Sequence, residues 1–196
     1  MNKASATRLT ILRKAFEIIY TKGYQATSID EIIATTKVTK GAFYYHFKTK
    51  DEMGLAIINE ILKPNLHNDF IKPLENAANP IRKIYAMTKG LLLDDPFLKP
   101  AYGCPAGNLV QEMTPWNAEF GKVLAELITE WQGSIENCIK SAKARGTVRK
   151  NVNAQQVAYF IMSGYWGVRN LGKVYNDASC YHTYLKELKV YLNNLS

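Results

Sequence analysis

From residue 39 to residue 46 the chain reads Thr-Lys-Gly-Ala-Phe-Tyr-Tyr-His. Lys40 brings a positive charge, and Gly41 and Ala42 allow a close approach. Thr39 stands where a helix begins, beside the positive end of its dipole. Tyr44, Tyr45 and His46 can hydrogen-bond to phosphates or base edges. The set suits a surface that clasps phosphates in a DNA groove. It also fits a solvated helix with some core aromatics, because short aromatic runs are ambiguous on their own. A second chemical candidate is Cys104. It precedes Pro105, and proline suits the first position of a helix, so Cys104 takes the N-cap place, where backbone N–H groups stabilise a thiolate. The alternative is a small apolar residue buried at a helix start. Catalysis has little to work with. His46, His67 and His182 lack an acidic or nucleophilic partner at a recognisable spacing, and there is no Gly-rich phosphate loop or zinc signature. The expectation is a protein that is not an enzyme and needs no cofactor or metal.

Helices must position these groups. Apolar residues recur at three- and four-residue steps and no stretch keeps strand-like alternation, so the fold class is all-α. The first helix, Thr7–Thr21, places Leu12, Ala15, Phe16 and Ile19 on one face and stops at Gly23. Ser28-Ile29-Asp30-Glu31 forms a capping box, with the Ser28 hydroxyl on the Glu31 amide and the Glu31 carboxylate returning to the Ser28 amide. It opens a short helix with Ile29, Ile32 and Ile33 inward. Lys37-Val38 makes the turn into a third helix, Thr39–Phe47, seated by Val38, Phe43 and Phe47 on Ile32, Ile33 and Phe16. A second capping box, Thr49-Lys50-Asp51-Glu52, opens a fourth helix to about Leu62. A steep helix pair of this kind, residues 28–47, is a helix-turn-helix: the second helix enters the major groove and the first braces it.

Beyond Lys63-Pro64 the segments lengthen. Seven prolines, from Pro64 to Pro115, punctuate the middle, each tending to end or begin a helix. Two long helices follow, Trp116–Ala144 with Phe120, Leu124, Leu127, Trp131, Ile135 and Cys138 on one stripe, and Ala154–Val174 with Val157, Phe160, Ile161, Gly164, Tyr165, Val168 and Leu171 on another. A final helix runs near Ser179–Asn194. The two long stripes suggest an intersubunit four-helix bundle in a homodimer, with Gly164 and Gly167 permitting close approach. The division expected is a DNA-binding head over 1–50 and a ligand-binding and dimerisation body over 51–196.

At 196 residues and 47% hydrophobic, the chain can bury one ordinary core or two small ones. The net charge of +8 favours a polyanionic partner. Residues 1–63 hold ten Lys or Arg against six Asp or Glu, so half of that excess lies in about a third of the chain. Charge alone serves a nonspecific or architectural DNA-binding protein equally well, but a large apolar body has no use there. Three widely spaced cysteines suit a reducing compartment. With no apolar run long enough for a membrane span and no cleavable leader, the protein is expected to be cytoplasmic.

Gly23-Tyr24-Gln25-Ala26-Thr27-Ser28-Ile29, followed by Lys37-Val38-Thr39-Lys40-Gly41-Ala42-Phe43-Tyr44-Tyr45-His46-Phe47 and Lys48-Thr49-Lys50-Asp51, resembles the N-terminal signature of the TetR/AcrR family over roughly fifty residues. The resemblance implies a homodimer with two heads on a double-stranded DNA operator, usually as a repressor, and a body that binds a small-molecule effector. It matches Thr27, Thr39, Lys40, Gly41, Tyr44, Tyr45, His46 and Lys50 to positions that commonly touch DNA. It also makes the fourth helix a lever whose movement changes the separation of the heads.

In the body, Gly103-Cys104-Pro105-Ala106-Gly107-Asn108-Leu109-Val110-Gln111-Glu112 resembles a subgroup with a Gly-Cys-x-x-x-Asn-Leu-x-x-Glu motif, some of whose members sense electrophiles through the Cys. Gly167-Val168-Arg169-Asn170-Leu171-Gly172-Lys173 resembles that subgroup's spacing to a Lys that approaches the Cys, where an ammonium would lower the thiol pKa. The residues assigned to effector sensing are therefore Cys104 and Lys173, with Tyr102, Asn108, Phe120, Trp131 and Tyr165 as pocket lining. Tyr85, Phe97, Trp116, Tyr159, Phe160 and Trp166 are further aromatics available to a pocket or a core.

Overall fold

The computed structural model describes residues 3–196, and among these all regular structure is helical, with no strand. The chain divides into two compact units, one comprising residues up to Pro64 together with Pro105–Ala125, the other Asn65–Cys104 with Glu126–Ser196.

In the first unit α1 (Lys3–Lys22) ends at Gly23, whose φ of +96° only glycine adopts freely. Its inner face, Leu12, Ala15, Phe16 and Ile19, is buried as the periodicity requires. Helix α2 (Ile29–Thr36) is capped by the Ser28 hydroxyl, which accepts from the Glu31 amide at 3.1 Å. The return half of this capping box is replaced: the Glu31 carboxylate accepts instead from Lys22 Nζ at 2.6 Å. Lys37, left-handed at φ +57°, closes α2 and turns the chain into α3 (Lys40–His46). Helix α4 (Lys50–Ile57) is capped by the Thr49 hydroxyl on the Glu52 amide, while the Glu52 carboxylate accepts from the Lys48 amide at 2.7 Å, one residue before the cap.

Pro64 does not end this helix. The chain continues helically through α5 (Lys63–Leu66), with wide π-type turns at Ile58–Leu62 and His67–Ile71. A proline inside an α-helix lacks the N–H and crowds the carbonyl four residues back, and a wider turn just before it relieves both. The other prolines behave as punctuation. Pro80 opens α6 (Pro80–Lys89) behind an Asn79 cap, and Pro105 opens α7 (Pro105–Met113). Helix α8 (Ala118–Ala144) starts two residues later than expected. The Asn117 carboxamide caps it, and Trp116 is left 82% exposed.

In the second unit α9 (Ala154–Tyr175) and α10 (Ser179–Asn193) pack closely. A Cβ at Gly164 would lie 2.6 Å from the Tyr184 ring and one at Gly172 2.5 Å from the Tyr181 hydroxyl, so both glycines serve packing within the chain. The apolar stripe of α8 is buried as well, from Phe120 to Cys138. That stripe therefore serves packing within the chain. The exposed apolar side belongs to α9, at Phe160, Leu171 and Val174, with Val190 on α10 and Gly167 open to solvent. Phe160, on the stripe expected to face a second subunit, is 48% exposed and stacks on Tyr191 at 4.0 Å.

Candidate nucleic-acid interface and effector region

Helix α3 is short and held by its ends and its inner aromatics. The Thr39 hydroxyl accepts from the Ala42 amide at 3.2 Å, a cap contributing about 1 kcal/mol. Phe43 and Phe47 are fully buried, with ring centroids 5.9 Å apart, and Arg8 lies 4.8 Å above the Phe47 ring. This fixes the rotation of α3. Between the buried phenylalanines Tyr45 is 73% exposed and Tyr44 38%, and ahead of them Thr39, Lys40 and Gly41 are all exposed. His46 is half-buried, edge-on to Tyr45.

Lys40 rests on Asp30 of α2, Nζ to Oδ1 3.1 Å, and this hydrogen-bonded carboxylate raises its pKa. The pair is exposed on both sides, so a phosphate can displace the carboxylate at little cost. Lys50 is drawn into its own unit, with Nζ 4.4 Å from the Tyr24 ring centre, and burial lowers its pKa against the pull of Asp51 and Glu112. Thr27 stands apart from the other matched positions. It is 1% exposed and its hydroxyl donates to the Gly23 carbonyl at 2.7 Å, so its side chain fastens the α1–α2 loop.

That loop is tied to residues far along the chain, and sequence reasoning did not identify these ties. The Gln25 amide donates to Glu112 at 3.0 Å. The Tyr24 hydroxyl donates to Asp51 at 2.7 Å, and the other oxygen of Asp51 accepts from Asn117 at 3.0 Å. Burial, reinforced by Asp51, pushes the Tyr24 phenol pKa up, so it stays a donor. Phe120 packs edge-on to Tyr24 at 5.2 Å and closes over Gly54, where any Cβ would clash at 2.6 Å. Phe120 is therefore a core residue of the first unit. Only the motif position of Glu112 hinted at these contacts.

In the second unit Trp131 and Tyr165 are buried and meet edge-to-face at 5.5 Å, with Phe70 and Trp166 completing an aromatic cluster. Tyr102 ends the short turn Pro100–Tyr102 half-buried, and Asn108 is half-buried on α7. Cys104 is buried directly before Pro105. Lys173 is exposed, whereas Arg169, one turn earlier on the inner face of α9, feels the charge of Cys104. Arg169 is fully buried. It lies i+4 from Tyr165, and that spacing on a buried stripe was the available sign.

A sequence profile described as bacterial regulatory proteins of the tetR family matches residues 11–57, and one described as the tetracyclin repressor-like C-terminal domain matches residues 80–188. The chain belongs to the TetR family. An uncharacterised HTH-type transcriptional regulator of Lactococcus lactis is 34% identical, over 87% of this chain and 85% of that protein. The transcriptional repressor DhaR of a Mycobacterium strain is 24% identical over 82% and 79%. Among solved structures, a TetR transcriptional regulator from Chloroflexus aurantiacus superposes with a TM-score of 0.88 at 25% identity, covering 98% and 96% of the two chains. This TetR-family regulator therefore carries a DNA-binding helix-turn-helix, with α3 as its second helix. No helix among its described residues is long and apolar enough to cross a membrane.

Proposed function

We propose that this regulator is a cytoplasmic repressor that binds a double-stranded operator as a homodimer and is released by a small organic or electrophilic effector. The observation that carries the DNA reading is the outward face of α3, where Thr39, Lys40 and Gly41 are exposed ahead of buried Phe43, and Tyr44 and Tyr45 are exposed between buried Phe43 and Phe47. His46 is half-buried at the end of this helix, and Lys50 stands at the start of α4. Hydroxyls and an exposed cation on a capped helix suit phosphate contacts that set register, with few base contacts. Exposed apolar residues of α9 and α10 support the dimer, because Phe160, Leu171, Val174 and Val190 gain by being covered. For the effector, the supporting features are the Trp131–Tyr165 cluster and Cys104 at the start of α7.

The test is binding of purified protein to a fragment of its own upstream region against random DNA of equal length. Tight binding to the first, weakened by Tyr44→Ala and Lys40→Ala, is expected; equal binding to both overturns the specific regulator. For the sensor, an alkylating electrophile should release wild-type protein from the operator and leave Cys104→Ser bound. Equal behaviour of the two makes Cys104 structural.

A further inference from the structure

Arg169 is 0% exposed on α9 and pairs with no carboxylate among the described residues. Its guanidinium donates to the backbone carbonyls of Leu91 and Leu98 and, at 3.3 Å, to the Tyr165 hydroxyl. These three bonds use three of its five N–H groups. Carbonyl dipoles supply only a partial counter-charge, and an uncompensated buried cation is costly. Two more buried donors of the same unit lack an acceptor. Trp131 Nε1, on a side chain 3% exposed, has no hydrogen-bond acceptor. The Tyr181 hydroxyl, fully buried against Gly172 with Arg169 5.6 Å from its ring centre, faces that donor and has no acceptor for its own proton. The three are linked in space: the Tyr165 ring lies 5.5 Å from that of Trp131 and 5.4 Å from the guanidinium carbon, and the Tyr181 ring lies 5.6 Å from the same carbon. Buried donors are normally satisfied, and a cluster rich in donors and poor in acceptors lacks an acceptor that carries negative charge.

We infer that this cluster is a recognition site for a small organic carboxylate, with Arg169 as its charge partner, Trp131 and Tyr181 as further donors, and the aromatic rings around Phe70 and Trp166 as the wall for its apolar part. The inference rests on the effector-release reading and narrows it: the releasing molecule is an anion. A planar carboxylate accepts two bonds from a guanidinium and still has lone pairs for the indole and the phenol.

The probes are propionate and benzoate against propionamide and benzamide, which keep the shape and lose the charge, in a buffer free of other carboxylates. At about a hundredfold excess over Kd, an acid should raise the melting temperature of the whole protein by roughly 5–10 °C, and its amide should not. Arg169→Gln should abolish the shift. Because Arg169 also holds Leu91 and Leu98, Trp131→Phe and Tyr181→Phe provide the variants that keep the packing, each with affinity for the acid lowered about tenfold or more. Equal shifts by acid and amide, no shift by either, or acid binding undiminished in both phenylalanine variants overturns the inference. Operator release separates the two levels. Release by a neutral or electrophilic compound with no acid binding leaves the effector reading standing and removes the anion site; acid binding without release does the reverse.

Discussion

Replacing Lys40 by Ala should flatten the salt dependence of operator binding. In the free protein the ammonium is exposed and its partner is Asp30, also exposed, 3.1 Å away. Asp30 holds the Lys40 pKa above its ordinary value, so the charge is present throughout the working pH range. On an operator the same ammonium exchanges a carboxylate for a phosphate and displaces a condensed counterion. Each phosphate so neutralised contributes about 0.9 to the slope of log K against log salt, or about 1.8 for a dimer with one Lys40 in each head. A fourfold rise, from about 50 to about 200 mM, should then cost the wild type roughly twelvefold more affinity than it costs Lys40→Ala. Anisotropy titrations of a labelled operator duplex at five or six salt concentrations read this directly. Parallel lines for the two proteins would refute the argument. They would mean that Lys40 acts by joining α3 to Asp30 of α2, and Asp30→Asn would then weaken binding, whereas loss of a competing carboxylate should tighten it.

Tyr24→Phe should lower stability by about 1.5 kcal/mol in urea unfolding, because the ring keeps its place against Phe120 while Asp51 loses one of two donors. Thr27→Val should destabilise by about 1 kcal/mol through its lost bond to Gly23, with operator affinity at constant folded protein changing less than for Lys40→Ala. Leu171→Glu should convert a dimer to a monomer in light scattering, and an unchanged dimer would move the interface off α9. Burial disfavours the thiolate of Cys138 and pushes its pKa up to about 11, so iodoacetamide at pH 8 should leave Cys138 unmodified in folded protein and label it in urea.

The head was legible because its signals are local. Gly23, the Ser28 and Thr49 caps and the buried spacing of Phe43 and Phe47 act within one helix turn, and each stands where periodicity and capping chemistry put it. Local rules failed where a distant residue competes. Glu31 meets Lys22 before it can return to Ser28, and the chain absorbs Pro64 with a π-type turn, which no pattern of apolar residues announces. Periodicity also cannot separate a stripe that faces a neighbouring helix from one that faces a second subunit. Phe120 and Phe160 each belong to an apolar stripe, yet one is fully buried and the other is 48% exposed. Arg169 was hidden for a related reason. A charge next to apolar positions suggests solvent, and only the packing around Leu91, Leu98 and Tyr165 turns it inward.

The same limit explains why the first unit is larger than its helix-turn-helix. A segment of about fifty residues buries too little apolar surface to hold three short helices and a loop in place. Residues from much later in the chain make up the deficit: Leu109 and Met113 of α7 and Phe120 and Leu124 of α8 are all buried, and they belong to the same compact unit as α1 to α4. Their polar neighbours then fix geometry as well as burial. Glu112 receives the Gln25 amide, and Asp51 of α4 accepts from both Tyr24 and Asn117, so the loop that sets the angle between α1 and α2 is fastened to α7 directly and to the residue before α8 through Asp51. Gly54 completes the joint, since any larger residue on α4 would force Tyr24 and Phe120 apart. The loop before α2, the start of α4 and the end of α7 are therefore one packed element. Helix α7, whose first residue follows Cys104, cannot shift relative to the recognition pair without breaking hydrogen bonds at Gln25 and Asp51.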